Sequence, residues 1–203
     1  MTKSPGKSFR LIGSAMDPGR MEALKAMKVL NLYFSATGNT QKIAKRIEDT
    51  LRGQGFEVDT LKIGADSNPD ILAYDLVFAG SGVYHWLPGK PMMELFEKLL
   101  SRYVGEGEIR PASPRRQGKK AVVYCSYGGG HTGANEAVPA VKYIGQLFDH
   151  LGYEVLDEWY FVGEYLRKHR PMSVKGRLGN IEGRPNDADL MEVSEKVAGI
   201  LRV

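Results

Sequence analysis

Two hydrophobic periods alternate along the chain from residue 29 onward. Val29–Phe34 is apolar at every position except Asn31, as expected of a strand buried on both faces of a parallel sheet. Ile43, Ala44, Ile47 and Leu51 then recur at helical spacing, and Gly53 or Gly55 closes that helix. Residues 56–63 alternate as a more exposed strand, and Asn68-Pro69 is expected to open a short helix. A second buried strand runs from Asp75 to Ala79 and stops at Gly80-Ser81-Gly82. Met92, Phe96, Leu99, Leu100 and Tyr103 mark the next helix face, and residues 104–118 read as a loop rich in Gly and Pro. Ala121–Cys125 is a fourth strand. Ala137, Val141, Ile144, Phe148 and Leu151 form a helix stripe, Tyr153–Phe161 a fifth strand, and Leu190, Val193, Val197 and Ile200 the stripe of a final helix. Five strands separated by helices, with no internal repeat, predict an α/β fold: a doubly wound five-stranded parallel sheet with helices on both faces.

A length of 203 residues, 42% of them hydrophobic, suits one such domain with at most an appendage. Met27-Lys28-Val29 reads as the opening of a domain spanning residues 27–203, which leaves residues 1–26 as an N-terminal extension. Asp17-Pro18 is a helix-start pair within that extension. A lone cysteine, Cys125, excludes an intramolecular disulfide and any multi-cysteine metal site built by this chain alone; at the end of an apolar run it reads as a buried small residue. No apolar stretch approaches the ~18 residues needed to span a bilayer, and no secretory pattern stands at the start. A cytoplasmic protein is the expectation.

The net charge of +4 is carried by residues 1–28, where six basic residues face two acidic ones, so the remainder is balanced. No basic stripe interleaved with aromatics is present, which argues against nucleic acid as a partner. Two local basic clusters remain, around Arg110–Lys120 and around Arg167–Arg177. They read as solvated surface, with Arg167, Lys168 and Arg170 also able to meet an acidic partner or a phosphorylated cofactor.

Candidate chemistry gathers at the carboxyl ends of strands one, three and four. In doubly wound sheets, ligands bind at this edge, where strand order reverses. After strand one, Ser35-Ala36-Thr37-Gly38-Asn39-Thr40 holds four short polar side chains, a glycine and no charge. Capping the following helix would need only one of those side chains. Hydroxyls, amides and a helix N-terminus together suit an anion. The loop lacks the lysine of a Walker P-loop and does not match G-x-G-x-x-G. A receiver domain is excluded in its usual form, because Ser35, Gly80 and Ser126 stand where a phosphoacceptor aspartate would.

The string Phe34-Ser35-Ala36-Thr37-Gly38-Asn39-Thr40 resembles the phosphate loop of the flavodoxin family, and the similarity extends over the alternation of elements from Val29 to Val203. The resemblance implies strand order 2-1-3-4-5 with FMN as cofactor, an order for which flavodoxin is the standing example. It assigns the FMN phosphate to Ser35, Thr37, Asn39 and Thr40 and to the amides from Ala36 through Gly38 to Thr40. The second loop, Ser81-Gly82-Val83-Tyr84-His85-Trp86 and on to Pro91, would touch the isoalloxazine, its glycine admitting the ring and its aromatics covering a face. The third, Ser126-Tyr127-Gly128-Gly129-Gly130-His131, would offer amides to the pyrimidine edge, with Tyr127 as a stacking partner. Tyr84 and Trp86 also read as packing or lid residues, and His85 and His131 as plain loop or helix-start histidines. The second loop lacks the acidity of small flavodoxins and is more like the FMN-reductase and quinone-reductase branches.

The expected function is therefore an FMN-binding redox protein passing electrons between protein partners. An FMN-dependent oxidoreductase acting on a quinone or NAD(P)H is the alternative, and a non-redox phosphate-ligand domain of the same fold the second. Residues 162–185 are longer than a strand-to-helix turn requires and read as a lid or docking surface.

Overall fold

The computed structural model describes residues 26–202, so the Asp17-Pro18 pair and most of the N-terminal extension lie outside the described residues. The five expected strands are β1 (Val29–Phe34), β2 (Val58–Lys62), β3 (Leu76–Tyr84), β5 (Lys120–Tyr127) and β6 (Glu154–Val162). A two-residue strand, β4 (Leu87–Pro88), lies between β3 and β5 in the chain and pairs antiparallel with the end of β3. The parallel sheet runs β2-β1-β3-β5-β6, which is the expected order once β4 is set aside. Five α-helices accompany it among the described residues: α1 (Asn39–Gly53), α2 (Lys90–Gly105), α3 (Val138–His150), the single-turn α4 (Met172–Lys175) and α5 (Asp187–Ile200).

Strand residues alternate between two hydrophobic layers because successive side chains leave opposite faces of the sheet. Val29 and Tyr33 of β1, Phe78 of β3 and Trp159 of β6 pack under α1 and α5 with Ile43, Ile47, Val193 and Val197. Leu30, Leu32, Val77 and Val123 pack on the other face beneath α2 and α3. Asn31, the polar break in β1, is fully buried and satisfied: its Nδ2 donates to the Ala44 carbonyl at 2.8 Å and its Oδ1 accepts from the Tyr124 hydroxyl at 3.2 Å. Gly80 leaves room for the same Tyr124 ring, which a Cβ at that position would meet at 2.1 Å.

Three expectations change. Strands β3 and β5 continue through Tyr84 and Tyr127, so Ser81–Tyr84 and Ser126–Tyr127 are strand residues, held by pairing such as Ser81 with Cys125 and Tyr127 with Val162. The short helix expected at Asn68-Pro69 is a single 3₁₀ turn, Ile71–Ala73, capped by Asp70. Leu100 is 41% exposed; it borders a shallow apolar groove between α2 and α3 instead of joining the core. The first basic cluster lies at the opposite end of the sheet from the loops, around the start of β5. Three of its cations are used by the fold: Arg116 pairs with Glu108, Lys119 with Asp75 at 3.0 Å and Arg115 with Asp149 at 3.5 Å.

Candidate functional site

At the carboxyl edge the polar loop after β1 leads into α1, and its side chains are held by specific partners. The Ser35 hydroxyl accepts from the Gly38 amide at 3.1 Å, closing the loop on itself. Thr40 Oγ1 and Ser126 Oγ lie 2.8 Å apart in a buried pair that ties the loop to β5. Asn39 Nδ2 donates to the Glu164 carbonyl at 2.9 Å, tying it to the segment after β6. Thr37 is exposed and its hydroxyl has no partner among the described residues. Gly38 takes φ 96° as the residue before α1, a left-handed conformation that glycine adopts without penalty.

The start of α1 has no side-chain cap and no acidic residue in its first turn. The first amides of a helix have no intrahelical acceptor. Those of Thr37, Asn39, Thr40 and Gln41 find none elsewhere among the described residues. Free N–H groups and an uncompensated helix dipole make this corner suited to an anion.

The second loop is a tight hairpin. Val83 pairs with Pro88 and Tyr84 with Leu87, so His85 and Trp86 form the two-residue turn, both with positive φ (48° and 67°). Such turns favour Asn and Gly, so a His-Trp pair here is strained, by roughly 1–2 kcal/mol per residue. Trp86 is 62% exposed at the hairpin tip. Tyr84 points back to the first loop: its hydroxyl accepts from the Ala36 amide at 3.3 Å, and its ring lies 6.1 Å from that of Phe34. Burial raises the Tyr84 phenol, only partly offset by the Ala36 N–H, so the hydroxyl stays protonated at neutral pH. Ser81 is fully buried and internal to the fold, accepting from the Gly89 amide at 2.9 Å and donating to the Gly82 carbonyl at 2.8 Å.

The third loop is packed against the segment after β6. A Cβ on Gly128 would meet the Tyr165 ring at 2.2 Å, and one on Gly130 would meet the Met172 methyl at 2.5 Å. The Gly130 amide donates to the Tyr165 hydroxyl at 3.0 Å. The Glu136 carboxylate folds back to accept from the His131 and Thr132 amides, both at 2.6 Å. Here the glycines make room for an aromatic ring of the protein itself. Gly82 does likewise, since a Cβ there would meet the Tyr84 hydroxyl at 2.9 Å.

The three loops surround one cavity of about 390 Å³, within the ~300–1,000 Å³ span of small-ligand sites. Thr37 and Asn39 line it from the first loop, Gly82 to Trp86 from the second, and Ser126 to Gly129 with His131 from the third. Ser35, Ala36, Gly38, Thr40, Ser81 and Gly130 are not part of that lining. The remaining wall comes from Gly163 to Leu166 with His169 and Met172, residues not singled out individually in the sequence. The unusual length of the segment after β6 was their only signal. A shallower groove of about 670 Å³ runs along β2 and the loop 64–69, away from the three loops. No group of three His, Cys, Asp or Glu is placed to hold a metal ion among the described residues.

A parallel sheet with a cavity at its switch point, and an uncapped helix N-terminus facing that cavity, is the arrangement at which doubly wound proteins bind ligands. A sequence model described as a flavodoxin domain matches residues 30–102. The flavodoxin of Megasphaera elsdenii is 25% identical over 99 residues, which cover 49% of this chain and 64% of that protein. The flavodoxin of Aquifex aeolicus is 28% identical over 150 residues, 73% of this chain and 75% of its own length. Among solved structures, oxidised flavodoxin 2 of Bacillus cereus superposes with a TM-score of 0.60 at 19% identity, covering 86% of this chain and 98% of that one. Residues 30–102 are thus similar to flavodoxin domains, and the whole described fold is that of flavodoxin structures.

Flavodoxins bind FMN, and the residues present fit it. The free amides at the start of α1 and the Thr37 hydroxyl would be donors for a dianionic phosphate without a countercharge. The aromatic and glycine walls suit a flat ring system.

Proposed function

We propose that this flavodoxin-like protein carries electrons between protein partners, with FMN held at the carboxyl edge of the sheet. The observation that carries this reading is the uncapped start of α1 opening into a cavity walled by Tyr84, Trp86, Tyr127 and Tyr165. Bound FMN accepts two electrons and releases them singly, its potentials set by neighbouring hydrogen bonds and charges. The chain's own part is to anchor and shield. Thr37 and the amides of residues 37 and 39–41 bind the phosphate. Ser35, Thr40 and Ser126 keep the loop in shape, with the Thr40–Ser126 pair retaining one hydroxyl proton to donate. Trp86 and Tyr165 limit water at the ring, and the exposed hairpin tip leaves a route for electrons to a docked protein.

A cytoplasmic location is part of this proposal; among the described residues no helix is long and apolar enough to cross a membrane. A second reading, reduction of a quinone by NAD(P)H, draws on the same aromatic enclosure, which also suits a flat substrate stacked on the ring. A visible spectrum and anaerobic mixing separate the readings. Purified protein should be yellow and release FMN; colourless protein that does not take up FMN refutes both. Rapid direct bleaching by NADPH or NADH favours the reductase, whereas bleaching that requires an added reductase protein favours the carrier.

A further inference from the structure

We propose that residues 163–185 form the docking surface for an acidic redox partner protein, an inference that rests on the carrier reading. Charge is divided unevenly between this segment and the rest of the fold. Residues 163–185 hold six Lys and Arg against two Glu, a net +4, while residues 29–162 and 186–203 together hold 16 basic and 20 acidic residues, a net −4. The positive pole therefore adjoins the cavity, since Leu166 and His169 line it and Arg167, Lys168 and Arg170 flank them in the chain.

These cations are also available, in contrast to Arg115, Arg116 and Lys119 of the first basic cluster. Arg167, Lys168, Lys175 and Arg177 are all exposed, and none has an ion-pair partner among the described residues. Arg170 is paired with Glu182 at 3.2 Å, and Arg184 with the buried Asp189. The segment presenting them is fixed. Buried Ser173 accepts from the Tyr165 amide at 2.8 Å, its carbonyl accepts from the Ile181 amide at 2.7 Å, and the Arg177 amide donates to the Gly130 carbonyl at 2.9 Å. Exposed apolar side chains lie among the cations and at the hairpin tip: Val174 (49%), Leu178 (37%), Trp86 (62%) and Leu87 (39%). Apolar contacts ringed by like charges beside a redox cavity suit transient docking, in which opposite charge accelerates encounter and the apolar centre sets the dwell time. The partner such a surface selects carries carboxylates around its own redox centre.

The test uses the full chain loaded with FMN and two probe proteins, an acidic plant-type ferredoxin and the basic horse cytochrome c. Photoreduced ferredoxin gives up one electron per molecule to the flavin, and stopped-flow absorbance follows the second-order rate. That rate should fall about tenfold or more between roughly 20 and 500 mM NaCl, and about tenfold at low salt in Arg167→Glu/Lys168→Glu. Lys98→Glu/Arg110→Glu, which changes the net charge equally on exposed positions of α2 and the loop after it, should retain the parent rate. Cytochrome c, taking one electron per molecule from the reduced protein, should react faster with the Arg167→Glu/Lys168→Glu variant than with the parent. Exchange with both probes at rates indifferent to salt and to these substitutions would overturn the docking surface and leave the carrier reading standing. No exchange with either probe while FMN is bound would overturn both. Rapid direct reduction by NADPH, abolished by Arg167→Glu/Lys168→Glu, would assign the cations to a dinucleotide phosphate instead and overturn the docking surface.

Discussion

Thr37 and Thr40 stand three residues apart in one loop, yet replacing each with Val should give different results. Thr40 Oγ1 is buried 2.8 Å from Ser126 Oγ, so Thr40→Val leaves the Ser126 hydroxyl buried without its partner. An unsatisfied buried hydroxyl costs about 1–3 kcal/mol, which at about 2–4 °C per kcal/mol for a domain of this size is a Tm loss of up to about 12 °C. Thr40→Val/Ser126→Ala removes both ends, so its cost should fall short of the sum of the single changes by about 0.5–2 kcal/mol. Thr37 is exposed and its hydroxyl has no partner among the described residues, so Thr37→Val should leave the stability within about 0.5 kcal/mol of the parent. It should instead weaken FMN by the value of one hydrogen bond to a charged group, about 1.5–3 kcal/mol or roughly tenfold to a hundredfold in Kd. Unfolding must be followed on the flavin-free protein, because bound FMN adds its own stabilisation through mass action; Kd comes from quenching of flavin fluorescence. An unaltered Tm in Thr40→Val with an FMN loss equal to that of Thr37→Val would refute the division of labour between the two residues.

Further outcomes follow from the packing and charge of the same fold. Gly80→Ala places a Cβ 2.1 Å from the buried Tyr124 ring, and should cost about 1–3 kcal/mol by overpacking, read from urea midpoints; a midpoint equal to the parent would show that the ring yields freely. Burial pushes the Asp189 carboxyl up, but the Arg184 guanidinium and the Asn186 amide outweigh it and hold the folded pKa below the usual carboxylate range. Between the folded and unfolded pKa values the unfolded chain binds more protons, so this contribution is complete above the unfolded value near ~3.9 and is lost as pH falls through the folded one. Asp189→Asn should therefore flatten the acid limb of the stability–pH profile, and an unchanged acid limb would refute the assignment. Burial raises the Cys125 thiol far above neutrality, so iodoacetamide should label it only after unfolding; stoichiometric labelling of the native protein at neutral pH would show that strand β5 opens locally.

The sheet was legible because strands buried on both faces announce themselves as unbroken apolar runs, and β1, β3 and β5 do so. Even Asn31, the one irregularity in β1, fits once its two buried partners are known. The hairpin after β3 was hidden for a local reason. A two-residue turn usually declares itself by Asn or Gly, and here His85 and Trp86 occupy the positive-φ positions. The first and third loops were found by composition, but the roles of their residues depend on contacts far along the chain. Asn39 bonds Glu164 across 125 residues and Thr40 bonds Ser126 across 86, so no local pattern could tell a scaffold hydroxyl from a free one. Tyr165 escaped notice because its neighbours Gly128 and Gly130 read as openings for a ligand ring, whereas the ring they admit belongs to the protein.

Two helices of this chain resolve the same electrostatic problem in opposite ways, while α2 and α3, which also lack a side-chain cap and a first-turn acid, place proline in the first turn. Helix α5 closes its own start: Asn186 accepts from the amides of Ala188 and Asp189, the Asp189 carboxylate accepts from the Asn186 amide, and Asp187 adds charge in the first turn. That arrangement satisfies the free amides and compensates the dipole from within. Helix α1, nearly the same length, begins at a glycine with no side-chain cap and no acid, although the polar residues that could cap it stand beside it. They are spent elsewhere, Ser35 on the loop amide, Thr40 on Ser126 and Asn39 on Glu164. A start left open, without a proline in its first turn, toward the cavity walled by Tyr84, Trp86, Tyr127 and Tyr165 suits a ligand that brings its own negative charge. The phosphate of FMN meets the requirement. A ligand without an anionic group would leave the amides of α1 without an acceptor.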